Sequence, residues 1–96
     1  MSPINKKKLN LLRVKLDKLD NELLRLIKKR SNLVNEVLKV KIHKKEIIDQ
    51  KRINFILKKI KAKSKQLKID PKITSRIWKN MIWSFIDYEK RNFKNK

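Results

Sequence analysis

Residues 9–40 read LNLLRVKLDKLDNELLRLIKKRSNLVNEVLKV. Leu9, Leu12, Leu16, Leu19, Leu23 and Leu26 step by alternating threes and fours, Arg30 takes the next place, and Leu33, Val37 and Val40 resume the series. That spacing puts one apolar seam along one face of a long helix. Ser2-Pro3 supplies an N-cap residue and a proline suited to the first helical position, and neither Gly nor Pro interrupts the pattern before about Ile42. At 1.5 Å per residue nearly forty residues extend roughly 55 to 60 Å, against the ~25 Å diameter of a compact chain this size. One chain cannot cover such a seam, so a partner is expected, and a second copy is the simplest.

Beyond the seam the period fails at His43-Lys44-Lys45-Glu46-Ile47-Ile48, which reads as a loop. Asp49 then caps a second helix carrying Ile53, Ile56, Leu57, Ile60 and Leu67, whose lysine-rich end suits the helix dipole. Asp70-Pro71 repeats the cap-and-proline signature and opens a third helix with Ile73, Ile77, Trp78, Met81, Ile82, Phe85 and Tyr88. The expected fold is all-α, with one long and two shorter helices in a single domain over residues 1–96, assembled as an intertwined homodimer.

Composition narrows the function. Lys plus Arg number 29 against 9 Asp plus Glu, a formal charge of +20, and mean hydropathy is -0.69. Disorder would follow from charge alone, but 40% of the residues are hydrophobic and strongly periodic. With no Cys, thiolate metal sites and cysteine nucleophiles are excluded, and the single His43 leaves no His-rich metal site and one histidine at most for a Ser-His-Asp relay. No apolar run approaches a membrane span, and the N-terminus lacks the apolar core of a signal peptide, so a cytoplasmic protein is expected. Lysine far exceeds arginine, and Ile and Asn abound, the bias of an AT-rich coding sequence. A basic chain also attracts phosphate, yet lysines occur on every helix rather than on one stripe, which argues against nucleic acid as its main partner.

Two polar residues break the apolar pattern. Arg30 sits in the seam, where a guanidinium is costly to desolvate unless an anion meets it; it is either a register-setting residue paired with Glu36 or Glu22 of another chain, or an anion site. Arg13 and Lys41 flank the seam but lie 28 residues apart, roughly 42 Å along a helix, so they share a ligand only across an antiparallel dimer. Glu89 ends the stripe Trp78, Ile82, Phe85. With Lys90 and Arg91 following it, spacing alone reads Glu89 as a solvated acid of the last turns, and a buried carboxyl near cations is the functional alternative. The aromatic residues of the third helix read as packing rather than as a base-stacking platform, and Arg52 reads as a surface residue near Asp49.

The series Leu12-Arg13, Asp17, Asp20, Leu23-Leu24, Leu26, Arg30, Lys41, followed by Ile48-Asp49 and Arg52, resembles the all-helical chorismate mutase family over nearly the whole chain. Of only six arginines, Arg13, Arg30 and Arg52 fall on that family's active-site positions. The resemblance implies two protomers interlocked through their first helices, each site borrowing one arginine from the other chain. It implies rearrangement of chorismate to prephenate, in phenylalanine and tyrosine biosynthesis, without cofactor, metal or covalent intermediate. Arg13 of the partner and Arg30 would grip carboxylates, and Lys41 would serve a carboxylate and the ether oxygen. Glu89 would donate to that oxygen, with Arg52 and the backbone at Asp49 completing the site. Lys41, Glu89 and Arg30 are thus the expected catalytic groups.

Three positions depart from the usual bacterial pattern. Ile53 stands where many members carry a Glu for the ring hydroxyl, Phe85 where a small hydroxyl residue is common, and Glu89 where Gln is usual. Both Ile53 and Phe85 make the substrate pocket more apolar. A carboxylate at 89 cannot donate a hydrogen bond, whereas a protonated acid can. Apolar neighbours favour the acid and nearby cations favour the carboxylate, and the balance is not legible in sequence. Isochorismate-pyruvate lyase is similar in fold, in its cations and in an apolar residue after the second-helix arginine. A basic helical nucleic-acid binder is the alternative of a different class, without a helix-turn-helix signature to support it.

Overall fold

The computed structural model describes residues 2–41 and 43–94. Three α-helices and one 3-10 turn make up its regular structure: α1 over Pro3–Val40, the turn over Lys44–Ile47, α2 over Gln50–Gln66 and α3 over Pro71–Asn92. Among the described residues there is no strand, as expected of an all-α chain. Ile42, where the seam was expected to end, lies outside the described residues. The chain divides into two compact units, residues 1–33 and residues 34–96.

The first unit is helix alone. Ser2 caps it, its Oγ accepting the Asn5 N–H at 3.2 Å. Its seam is open: Leu12, Leu16, Leu19, Leu23 and Leu26 are each 54–58% exposed. Arg13 is exposed and Arg30 half-buried.

The second unit packs α2 on α3 around Ile47, Ile53, Ile82 and Ile86, with Ile56, Leu57 and Phe93 against them. Ile47 enters this core from the 3-10 turn, so the segment expected as plain loop is a structured plug. Glu46 helps to shape it by accepting the His43 N–H at 2.9 Å. Asp49 caps α2 as expected, its Oδ1 accepting the Arg52 N–H at 3.0 Å, and Asp70 caps α3 by accepting the Lys72 N–H at 2.9 Å. Pro71 holds the first position of α3, where a missing N–H costs nothing.

The α2–α3 connection differs from expectation. Leu67 is no core residue but the 70% exposed C-cap of α2. The chain then turns through Lys68 in the left-handed region at φ 57°, with the Lys68 N–H on the Lys65 carbonyl at 3.2 Å and the Ile69 N–H on the Ser64 carbonyl at 2.8 Å. This is a Schellman ending with lysine where glycine is usual. Ser64 also joins the helices, its Oγ donating to the Ile60 carbonyl at 2.6 Å and lying 2.7 Å from Thr74 Oγ1, with both residues buried. The buried face of α3 therefore runs through Thr74, Ile82, Ile86 and Glu89. Ile73 and Ile77, expected inside, lie one residue or about 100° away from Thr74 and Trp78 and are exposed.

Candidate active site

The site is built from the second unit, where the chain leaves α1, passes the 3-10 turn and enters α2. Lys41 follows the last turn of α1, and its Nζ donates to Glu89 Oε1 of α3 at 2.9 Å. Their side chains are 16% and 8% exposed, so this is a desolvated ion pair, unlike the open Lys39–Glu36 and Arg91–Asp87 pairs. Glu89 is buried because it lies on the Ile82–Ile86 line that α3 turns inward, and Lys41 supplies the counter-charge that its burial requires. The solvated acid suggested by Lys90 and Arg91 is thus not what forms, since those two side chains lie on other faces and are exposed.

Next to this pair, the Tyr88 hydroxyl donates to Asn35 Oδ1 of α1 at 2.7 Å. Consecutive residues of α3 are therefore both anchored near the end of α1, which fixes the rotation and height at which Glu89 meets Lys41. The sequence analysis missed Asn35 as a tether. A polar residue among Val34, Val37 and Leu38 was the available signal.

Lys41 also lines an open cleft of about 430 Å³ with Glu46, Ile48, Asp49, Gln50 and Lys51. Its lining sets the ammonium groups of Lys41 and Lys51 against the carboxylates of Glu46 and Asp49 and borders the first turn of α2, whose leading N–H groups lack carbonyl partners within the helix. The Asp49 carboxylate takes one of those donors. An ammonium has three donors, so Lys41 keeps two beyond its bond to Glu89. An anion entering the cleft would meet Lys41 and Lys51 directly.

Of the expected site residues, Lys41 and Asp49 share this cleft, and Glu89 is tied to it through Lys41. Arg52 is exposed, its guanidinium 5.5 Å from the centre of the Phe55 ring. Ile53 is 6% exposed and part of the α2–α3 core, and Phe85 is half-buried one turn before Glu89. Arg13 and Arg30 belong to the first unit. The chorismate mutase type II family model matches residues 12–90 of the 96.

The chain belongs to the type II chorismate mutase family. No curated protein and no solved structure matches it significantly. For a type II chorismate mutase, the matched span takes in every residue named above as a site candidate, from Arg13 to Glu89. No helix among the described residues is long and apolar enough to cross a membrane.

Proposed function

We propose that this protein converts chorismate to prephenate, as a cytoplasmic homodimer serving phenylalanine and tyrosine biosynthesis. The observation that carries the proposal is the buried Lys41–Glu89 pair beside an open cleft at the start of α2, in a chain of this family. In the reaction the ether C–O bond breaks as a new C–C bond forms within the same molecule, and nothing is transferred to the protein. What remains for the side chains is to hold a dicarboxylate in its folded pose and to meet the charge that grows on the ether oxygen. Donors aimed at that oxygen accelerate the step because they bind it more strongly in the transition state than in the substrate.

Lys41 fits both tasks, with donors left for a carboxylate and for the ether oxygen. Arg30 and the partner's Arg13 are assigned to the substrate carboxylates, where a planar guanidinium can bind bidentately, and Arg52 with the Asp49 backbone completes the grip. Phe85 and Ile53 are assigned to the apolar side of the pocket. Glu89 is assigned to the ether oxygen as well: paired with Lys41 its carboxylate accepts and holds that ammonium in place, and it donates to the oxygen itself only as the neutral acid. The exposed seam of α1 supports the dimer, since five leucines more than half exposed invite a second copy. No cofactor or metal enters the scheme.

Apolar Ile53 beside Arg52 favours one second reading, isochorismate-pyruvate lyase. The test is product analysis after mixing the protein, and its Glu89→Gln variant, with chorismate and separately with isochorismate. Prephenate is expected, and Glu89→Gln, whose amide can donate a hydrogen bond, should keep the activity. Loss of activity in Glu89→Gln would remove the donor role assigned to position 89. No prephenate, but pyruvate and salicylate from isochorismate, would select the lyase, and no product from either substrate would defeat both.

A further inference from the structure

The +20 charge is not spread evenly. Residues 50–69 carry Lys51, Arg52, Lys58, Lys59, Lys61, Lys63, Lys65 and Lys68 and no acid at all. The acids at either end, Asp49 and Asp70, have their carboxylates turned to helix N–H groups. A coding bias raises lysine everywhere, but α1 interleaves its lysines with Asp17, Asp20, Glu22 and Glu36. On α2, Lys58, Lys61 and Lys65 advance by three and four, a line of cations on the face away from Ile53, Ile60 and Ser64, and Lys68 follows in the turn beyond the helix. Such neighbours repel one another, and the helix holds no charge of its own to relieve them. Beside that line Phe55 is 55% exposed, with Arg52 and Lys59 at 5.5 and 5.9 Å from its ring centre.

We propose that the outer face of α2 is a binding surface for single-stranded nucleic acid. The lysine line would track the phosphates, and Phe55, already set among cations, offers a ring on which a base can stack. Recognition would be tolerant of sequence, since the face carries few groups able to read base edges. A membrane surface is the poorer fit, because α2 turns its apolar residues to α3 and leaves one aromatic ring to insert. The proposal does not depend on the mutase reading, and none of the lysines altered in its test belongs to that site.

The experiment measures binding of the full chain to a labelled oligothymidylate by fluorescence anisotropy over a salt series. Three variants are compared: Lys58→Gln/Lys61→Gln/Lys65→Gln on α2, Lys15→Gln/Lys18→Gln/Lys28→Gln on α1, and Phe55→Ala. The α2 triple should weaken binding about tenfold or more near physiological salt. It should also lower the slope of log affinity against log salt by about two, since each strand phosphate contact contributes about 0.7. The α1 triple should do much less, and Phe55→Ala should cost at least about fivefold at an unchanged slope. Circular dichroism confirms that each variant folds. Equal losses from the two triples would show diffuse attraction and overturn the proposal. So would absence of binding, duplex DNA binding as tightly as the strand, or binding confined to phosphatidylserine vesicles.

Discussion

Replacing Lys41 with Met strips the buried Glu89 carboxylate of its counter-charge while keeping most of the side-chain volume. Removing one partner of a buried ion pair costs about 3 to 5 kcal/mol, because the remaining charge stays desolvated. Lys41 and Glu89 are 16% and 8% exposed, so some water reaches the pair and the lower figure, about 3 kcal/mol, applies. In a domain of this size each kcal/mol moves Tm by about 4 to 8 °C, which gives a fall of about 12 to 24 °C. The assay is thermal unfolding by far-UV circular dichroism at one fixed protomer concentration, since an associating chain has a concentration-dependent Tm. Adding Glu89→Leu removes the orphan, and the double variant should regain most of the loss, because an apolar pair can replace a buried ionic one. A Tm within a few degrees of wild type for Lys41→Met, or a double variant less stable than the single, would refute the reasoning.

Two further outcomes test the packing. Ser64→Ala removes the hydroxyl that meets Thr74 and should cost about 1 to 2 kcal/mol in urea unfolding, whereas Ser64→Ala/Thr74→Val, which leaves no buried hydroxyl unpaired, should cost less than the single change. Leu19→Lys/Leu23→Lys places charge in the exposed seam, and should convert the proposed dimer to monomer by light scattering; an unchanged mass would mean the seam is not the interface.

Much of the backbone was legible because its signals are local. Ser2-Pro3, Asp49 and Asp70-Pro71 announce helix starts through donors that any helix leaves open, and each start falls where its cap predicts. The α1 seam was legible for the same reason, since ten positions repeat one period. Tertiary choices were less visible. Period alone could not tell Ile73 from Thr74 as the residue facing α2, nor show that Ile47 would fold inward from a segment without a period. Glu89 was misread from spacing because the residues after it are charged, while its burial is decided by Lys41, 48 positions away. The Tyr88–Asn35 bond is separated by 53 positions and leaves no local trace.

The turn at Lys68 carries a consequence for how this chain came to be written. A left-handed residue with a side chain costs roughly 1 to 2 kcal/mol that glycine would avoid, and the sequence has no glycine anywhere. Glycine codons begin with two guanines, so a genome drifting toward A and T sheds them, and lysine is what such drift writes instead. Lys68 thus carries a bend in glycine's conformation on a side chain that resists it, and the Lys68 and Ile69 N–H bonds that close the helix offset that cost.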